Sequence, residues 1–408
     1  MFRSFARRAL YGAAAFGLVA TLGACDSMLE VENHGAINED EVTDPALTSV
    51  MVNTAISAFQ EDYAFLVYAG AMLSDEAVNG HNYEQWQEID LRIIDQNNLM
   101  IEDIYEAAAL ARATPDDMVA RLREVVEDPT TSLELATALT YAGYGHIILG
   151  EYFCYAPIET EGPAVESDGI LAAAVERFDE AISILEGLSG ADAERMLNLA
   201  RVGAARASLG QGKFADAINY ATDVPEDFVA WIRHGESPTY LRNYLSSVTK
   251  GTNQSIGVDV KFRDLNDKRV RHAATSRKGH NGKTDLWTPY QSSSFSGWAA
   301  DSASQVIQDT TSIRFASGLE ARYIIAEAGG MTDAELRACI DERRAVGGFG
   351  PFAGTDAELQ AELRDQRRRD FFLDGHRLGD LRRYYRLYGI DEFPTGPHPN
   401  DAQWGWGS

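Results

Sequence analysis

Apolar positions recur every three to four residues over most of this chain, the spacing that gathers them on one face of an α-helix. The first run opens at Asp44-Pro45, an N-cap followed by proline at the first helical position, and Leu47, Val50 and Met51 carry the period on toward Phe59. Tyr63 to Leu73 continues as apolar helix. Ser74 to Glu88 breaks the period and reads as a polar, aromatic loop around Asn79-Gly80, a turn signal. Helical spacing returns from about Asp95 to Val126, with Thr114-Pro115 restarting it.

The middle of the chain is the most regular. Thr131 and Glu134 have capping-box spacing, and a long apolar helix follows to Leu149-Gly150-Glu151-Tyr152. Leu171 to Leu185 and Ala193 to Leu209 are amphipathic, and Gly210-Gln211-Gly212 turns the chain into a fourth helix at Lys213-Phe214-Ala215-Asp216-Ala217. Alanines where helices cross, a glycine turn and an aromatic after it are the marks of a tetratricopeptide hairpin, with a period near 34 residues. Two hairpins are predicted, Thr131 to Leu188 and Ala191 to Ala221. An alanine-rich bundle without true repeats is the alternative; either way helix packs on helix.

Between residues 223 and 312 the helical period fades. Ile256, Val258, Val260 and Phe262 alternate as in a short strand. Trp231, Trp287, Tyr290, Phe295 and Trp298 stand among Ser, Gly and Asn, a setting that suits a ligand surface better than a core, although a long loop packed on helices would look the same. Helix is predicted again from Ile313 to Glu327, and Thr332 with Glu335 and Thr355 with Glu358 give two more capping boxes. Phe393 to Ser408, with Trp404 and Trp406, reads as an irregular tail.

Composition narrows the function. The formal net charge is -26, with acids spread along the whole chain, which argues against a phosphate-backbone partner. Residues 1–24 read as an export signal: Arg3, Arg7 and Arg8 precede an apolar run that ends in Leu22-Gly23-Ala24-Cys25, a bacterial lipobox. Acyl chains on Cys25, at about 0.8 kcal/mol per buried methylene, would fix the chain to a membrane. Residues 25–43 then read as a lipidated tether, and 44–408 as the folded domain. Cys154 and Cys339 could form one disulfide or remain buried thiols.

Catalytic and metal patterns are missing. No phosphate loop follows a strand, no His-x-x-x-His or Cys-x-x-Cys appears, and there is no Gly-x-Ser-x-Gly elbow, so neither metal nor cofactor is expected. Asp75-Glu76 is the one tempting acid pair, but adjacent carboxyls rarely face each other across a sugar bond.

One stretch carries a family resemblance. Arg367-Arg368-Arg369-Asp370-Phe371-Phe372-Leu373-Asp374-Gly375-His376-Arg377-Leu378-Gly379-Asp380-Leu381-Arg382-Arg383 resembles the closing motif of the SusD/RagB outer-membrane nutrient-binding lipoproteins. Asp370 and Asp374 stand where that family usually has glutamates, and Gly379 where an aromatic is common. Cys25 to Val31, Leu149 to Pro157 and Glu320 to Ala328 resemble other family segments in the same order. The residues themselves suggest a brace: arginines and aspartates three and four apart can pair, Gly375 can end a helix left-handed, and Asp380 can cap or pair in the next helix.

The resemblance implies a mainly α, SusD-like fold: a right-handed stack of tetratricopeptide-like hairpins (131–221), a loop-rich ligand-binding segment (223–312) and C-terminal helices (313–390). It implies a lipoprotein on the outer face of the outer membrane that captures an oligosaccharide, or a peptide, for a SusC-like TonB-dependent transporter, without being an enzyme. Sugar rings present apolar C–H faces to aromatics flanked by amides and carboxylates. Asn79, Tyr83 and Trp86 in the first loop, and Trp287, Tyr290 and Trp298 in the second, are therefore the expected ligand contacts. An envelope scaffold that binds no small ligand, and a helical carbohydrate-active enzyme, are the competing readings.

Overall fold

The structure, a computed structural model, describes residues 45–394 except 160, 251–253, 279–284 and 304. The export signal, Cys25, the tether, the Asp44 cap, and Trp404 and Trp406 of the tail lie outside the described residues.

Helices α1 (Thr48–Gln60) and α2 (Tyr63–Leu73) lead into strand β1 (Ala77–Asn79) and helix α3 (Glu84–Leu91). The loop expected over 74–88 is thus partly strand and partly helix, each too short to leave a period in the sequence. Helix α4 (Leu99–Val125) starts where the Asn98 side chain accepts hydrogen bonds from the amides of Met100 and Ile101, and it runs through Pro115 without a restart. Next come α5 (Leu133–Tyr152), the small hairpin β2 (Tyr155–Pro157) and β3 (Ala164–Glu166), then α6 (Ser167–Leu185), α7 (Ala191–Gly210) and α8 (Phe214–Thr222). The cap of α5 is Ser132, one residue beyond the expected Thr131, and its hydroxyl accepts from the amide of Leu135.

The rest of the chain mixes short strands and helices. Strand β4 (Val229–Ile232), helix α9 (Tyr244–Thr249) and strand β5 (Ile256–Val258) precede the hairpin β6 (His272–Lys278) and β7 (Asp285–Pro289). The alternation read through Phe262 stops at Val258, because Asp259 caps a single helical turn by accepting from the amide of Lys261. Strand β8 (Ile313–Ser317) then replaces the first turn of the helix expected from Ile313; it is buried throughout and pairs with β4, and Ser317 caps α10 (Gly318–Glu327). Helices α11 (Asp333–Gly347), α12 (Leu359–Asp370) and α13 (Arg377–Tyr388) complete the order, with both expected capping boxes formed. The described strands make four two-stranded antiparallel ladders, β1–β5, β2–β3, β4–β8 and β6–β7.

Helices α5 to α8 form the two predicted hairpins, and the chemistry of their contacts explains the small residues. Phe178 of α6 lies between Gly143 of α5 and Gly203 of α7, where a Cβ would stand 2.6 Å and 2.3 Å from its ring. Only glycine admits the phenyl ring on both sides. A second close approach involves Pro115. Proline has no N–H to offer the carbonyl four residues back, so that of Ala111 has no partner at Pro115. That oxygen faces Gly145 of α5, where a Cβ would lie 2.2 Å away. The proline and the glycine together let α4 and α5 touch through their backbones.

The closing motif is the brace its spacing suggested, but most of its partners come from elsewhere in the chain. Asp370 is fully enclosed and meets Arg343 at 2.7 Å, Arg269 at 3.1 Å and the Tyr323 hydroxyl, which donates to it at 2.7 Å. Burial pushes the Asp370 carboxyl up, and the two guanidiniums overcome this and hold it at about 2. Asp374 pairs with Arg314 at 3.1 Å and with His376 at 2.7 Å. Asp380 takes Arg367 at 2.8 Å and Arg383 at 2.9 Å. Gly375, at φ 92°, turns the chain between α12 and α13 in the left-handed region. Cys154 is exposed and Cys339 buried, both as free thiols.

Two outcomes follow from this packing. Gly145→Ala should lower stability by about 1–3 kcal/mol or more in a denaturant titration, since the new methyl meets backbone. His376 is buried between Asp374 and Glu320; burial lowers its pKa, the two carboxylates raise it more, and the net shift is upward from 6.5. Its contribution is therefore complete below pH 6.5 and lost as pH rises through the raised value. The melting temperature should fall across that interval, and His376→Gln should flatten the slope.

Candidate functional site

The two segments expected to carry the ligand contacts meet in the fold. Strand β1 pairs with β5, Asn79 opposite Ile256, and hairpin β6–β7 lies against this ladder. The side chain of Leu286, on β7, fills the space a Cβ would need on Gly80 (2.8 Å) and on Gly257 (2.9 Å). The first loop and the second therefore share a base.

Their aromatic and amide residues divide by burial. Asn79 is 1% exposed and works within the chain: its Oδ1 accepts from the His81 amide at 2.7 Å and its Nδ2 donates to the His81 carbonyl at 3.1 Å. Trp86 is 3% exposed and packs edge-on against Tyr68 and Phe65, with ring centroids 4.6 Å and 6.1 Å apart. It fills core and offers no face outward. Tyr83 is 57% exposed and lies against the His81 ring, 3.8 Å between centroids.

In the second segment the pleat sorts the side chains. Leu286 points to the ladder beneath, so Trp287, its neighbour, points away. Trp287 stands opposite Ala274 in the hairpin register and is half-buried, its ring 5.5 Å from that of His272 and 5.7 Å from the Arg263 guanidinium. Trp298, also half-buried, has the Arg271 guanidinium 5.9 Å from its ring. Tyr290 follows β7, half-buried, and its amide donates to the Arg271 carbonyl. Phe295, expected at a surface, is core: it is fully buried and bridges to Ile313. The structure thus brings Trp287, Tyr290 and Trp298 around the start of β6, with Asn79 and Trp86 serving the fold below.

Asp75 and Glu76 are not offered to solvent. Asp75 makes a double hydrogen bond with Arg377, at 2.7 Å and 2.9 Å; burial raises its pKa, but Arg377 and Lys261 bring it down to about 2. Glu76 accepts from the Leu373 amide at 2.8 Å, and burial lifts its pKa well above the carboxylate range. Both are struts tied to the closing motif.

A wide cleft elsewhere in the fold was not foreseen. It encloses about 1010 Å³ where the ends of α5 and α7 meet α13, and its walls include Glu151, Cys154, Arg382, Tyr385 and Arg386. Its arginines are engaged: Arg382 donates to the Gly150 carbonyl at 3.3 Å, and Arg386 to the Gly210 carbonyl and Asp168. Cations at helix C-termini complement the dipoles there. No sequence period marks this cleft, because it lies between elements far apart in the chain. Among the described residues no group of His, Cys, Asp and Glu could hold a metal ion.

No protein-family model matches the chain, and no curated protein matches it. Solved structures do. A SusD-like carbohydrate-binding protein from Bacteroides fragilis NCTC 9343 superposes with a TM-score of 0.62 at 13% identity over 90% of this chain and 91% of its own. One from Bacteroides vulgatus ATCC 8482 gives 0.59 at 16% over 83% of each chain, and a laminarin-binding SusD-like protein gives 0.64 at 14% over 86% and 95%. The chain has the SusD-like fold, mainly helical with tetratricopeptide-like repeats.

The burial difference between the two loops can be measured directly. Trp86→Ala should lower stability by about 3–5 kcal/mol, while Tyr83→Ala should leave the melting temperature unchanged. Equal melting temperatures for the two variants would contradict the placement of Trp86.

Proposed function

We propose that this chain is a SusD/RagB-family lipoprotein, acylated at Cys25, that binds a glycan at the outer face of the outer membrane and passes it to a SusC-like TonB-dependent transporter. The observation that carries the reading is the agreement of fold over nearly the whole of both chains with proteins described as carbohydrate-binding or laminarin-binding. The closing motif supports it: the residues that prompted the family resemblance are the buried brace between α12 and α13. No helix of the described residues is long and apolar enough to cross a membrane, so attachment in this reading comes from the lipid.

Binding rather than hydrolysis is the reading for the site. The carboxyl pair that could have served an acid mechanism is buried in the brace. The ligand contacts in this reading are Tyr83, Trp287, Tyr290 and Trp298, with Asn79 and Trp86 shaping the base. Half-buried indoles give apolar area at low entropic cost, which is what the C–H face of a sugar ring needs.

Three measurements test this. In cells, Cys25→Ser should move the protein from the membrane to the soluble fraction. Pull-down through the intact chain should recover a TonB-dependent barrel. In calorimetry against an oligosaccharide panel, Trp287→Ala should weaken binding by about tenfold or more, the worth of one buried aromatic contact. Equal binding by this variant and the parent would move the site elsewhere.

A further inference from the structure

The chain is strongly acidic, yet residues 261–278 hold seven lysines or arginines against two aspartates. This stretch runs into the hairpin that carries Trp287. Much of its charge is already spent within the fold. Arg269 is buried against Asp267 and Asp370, and Lys261, Lys268 and Lys278 pair with Asp75, Asp301 and Asp285.

Arg263 and Arg271 differ. Arg263 lies over Trp287 and Arg271 over Trp298, and neither makes an ion pair with a carboxylate of the described residues. Arg271 donates to the carbonyls of Lys268 and Ala299 and to the Ser302 hydroxyl, so it is held in place by neutral acceptors. Asp301, whose field reaches it, is paired with Lys268. Arg263 Nε and Trp298 Nε1 are both buried with no hydrogen-bond partner. One unneutralised guanidinium with an unanswered Nε, and a second beside an unanswered indole N–H, call for acceptors that carry negative charge.

We infer that the surface around Arg263, Trp287, Arg271 and Trp298 takes an anionic glycan, one whose sugar units bear carboxylate or sulfate groups. The inference rests on the glycan-binding reading above and specifies its substrate class. An indole with a guanidinium over one ring face is a poor platform on that face for a neutral sugar. The same pair suits a ring whose substituent reaches the guanidinium while its C–H edge meets the indole. The excess of acid elsewhere on the chain sharpens the contrast, since a polyanion is repelled from the remaining surface and drawn to this one.

The test is calorimetry of the purified full-length protein with three probes of equal length: an oligouronate, a sulfated galactan oligosaccharide and a neutral β-glucan oligosaccharide, at low and at high salt. The charged probes should bind at least about tenfold more tightly than the neutral one, with the margin shrinking as salt rises. Arg263→Gln and Arg271→Gln should each weaken the charged probes by about tenfold and leave the neutral probe alone, whereas Arg201→Gln on α7 should change nothing. Arg271→Lys should recover part of the loss, which a loosened loop would not. Equal, salt-insensitive binding of neutral and charged probes overturns the inference and leaves glycan binding standing. Absence of binding to any saccharide overturns the reading on which it rests. The comparison of probes on the parent protein decides the matter even if a variant fails to fold.

Discussion

Asp370 sits with no exposure to water and with Arg269, Arg343 and Tyr323 around it, and the rest of the fold is arranged about that enclosed charge. A carboxylate in such surroundings survives only when its partners are in place, and losing one leaves the other as an uncompensated buried ion. Those partners come from the approach to β6, from α11 and from α10, three segments that share no local sequence pattern. Asp374 adds Arg314 of β8, and Arg377 adds Asp75 beside β1. The turn between α12 and α13 therefore gathers the chain from its first third to its last. Helix packing alone would leave the loop-rich middle without a fixed position, and these ion pairs supply it.

How much of this was legible depended on the range of the interaction. The tetratricopeptide hairpins could be read from alanine spacing and the Gly210 turn because their packing is between sequence neighbours. Capping boxes at Thr332 and Thr355 were likewise local and formed as read. Strand β8 was hidden, since five consecutive buried residues look the same in a helix or a strand. Pro115 looked like a boundary, yet it lies inside α4; the carbonyl it leaves without an N–H faces Gly145, a residue in another helix that no local window includes.

The site was legible in part. Aromatic residues in a segment without helical period marked the candidate region, and the fold sets Trp287, Tyr290 and Trp298 each against Arg271 or His272 at the start of β6. Composition could not separate Trp86 from Trp287, because both are tryptophans near Asn, Ser and Gly. What separates them is whether a neighbouring helix covers the ring, as Phe65 and Tyr68 do for Trp86. The basic stretch was visible in the sequence but diluted in a chain whose overall balance is acidic. The fold, not the sequence, sets two of its arginines over two of the tryptophans.

Hairpin β6–β7 keeps Leu286 against the glycines beneath and Trp287 on the opposite side. In the proposed reading, scaffold and recognition are thus written on alternate letters of one short word. A single inserted or deleted residue ahead of Leu286 would exchange the two roles, sending an indole into space that fits only a leucine. Substitution at the outward letter leaves the foundation untouched. Chains built this way can change what they recognise by point replacement far more easily than by changing length.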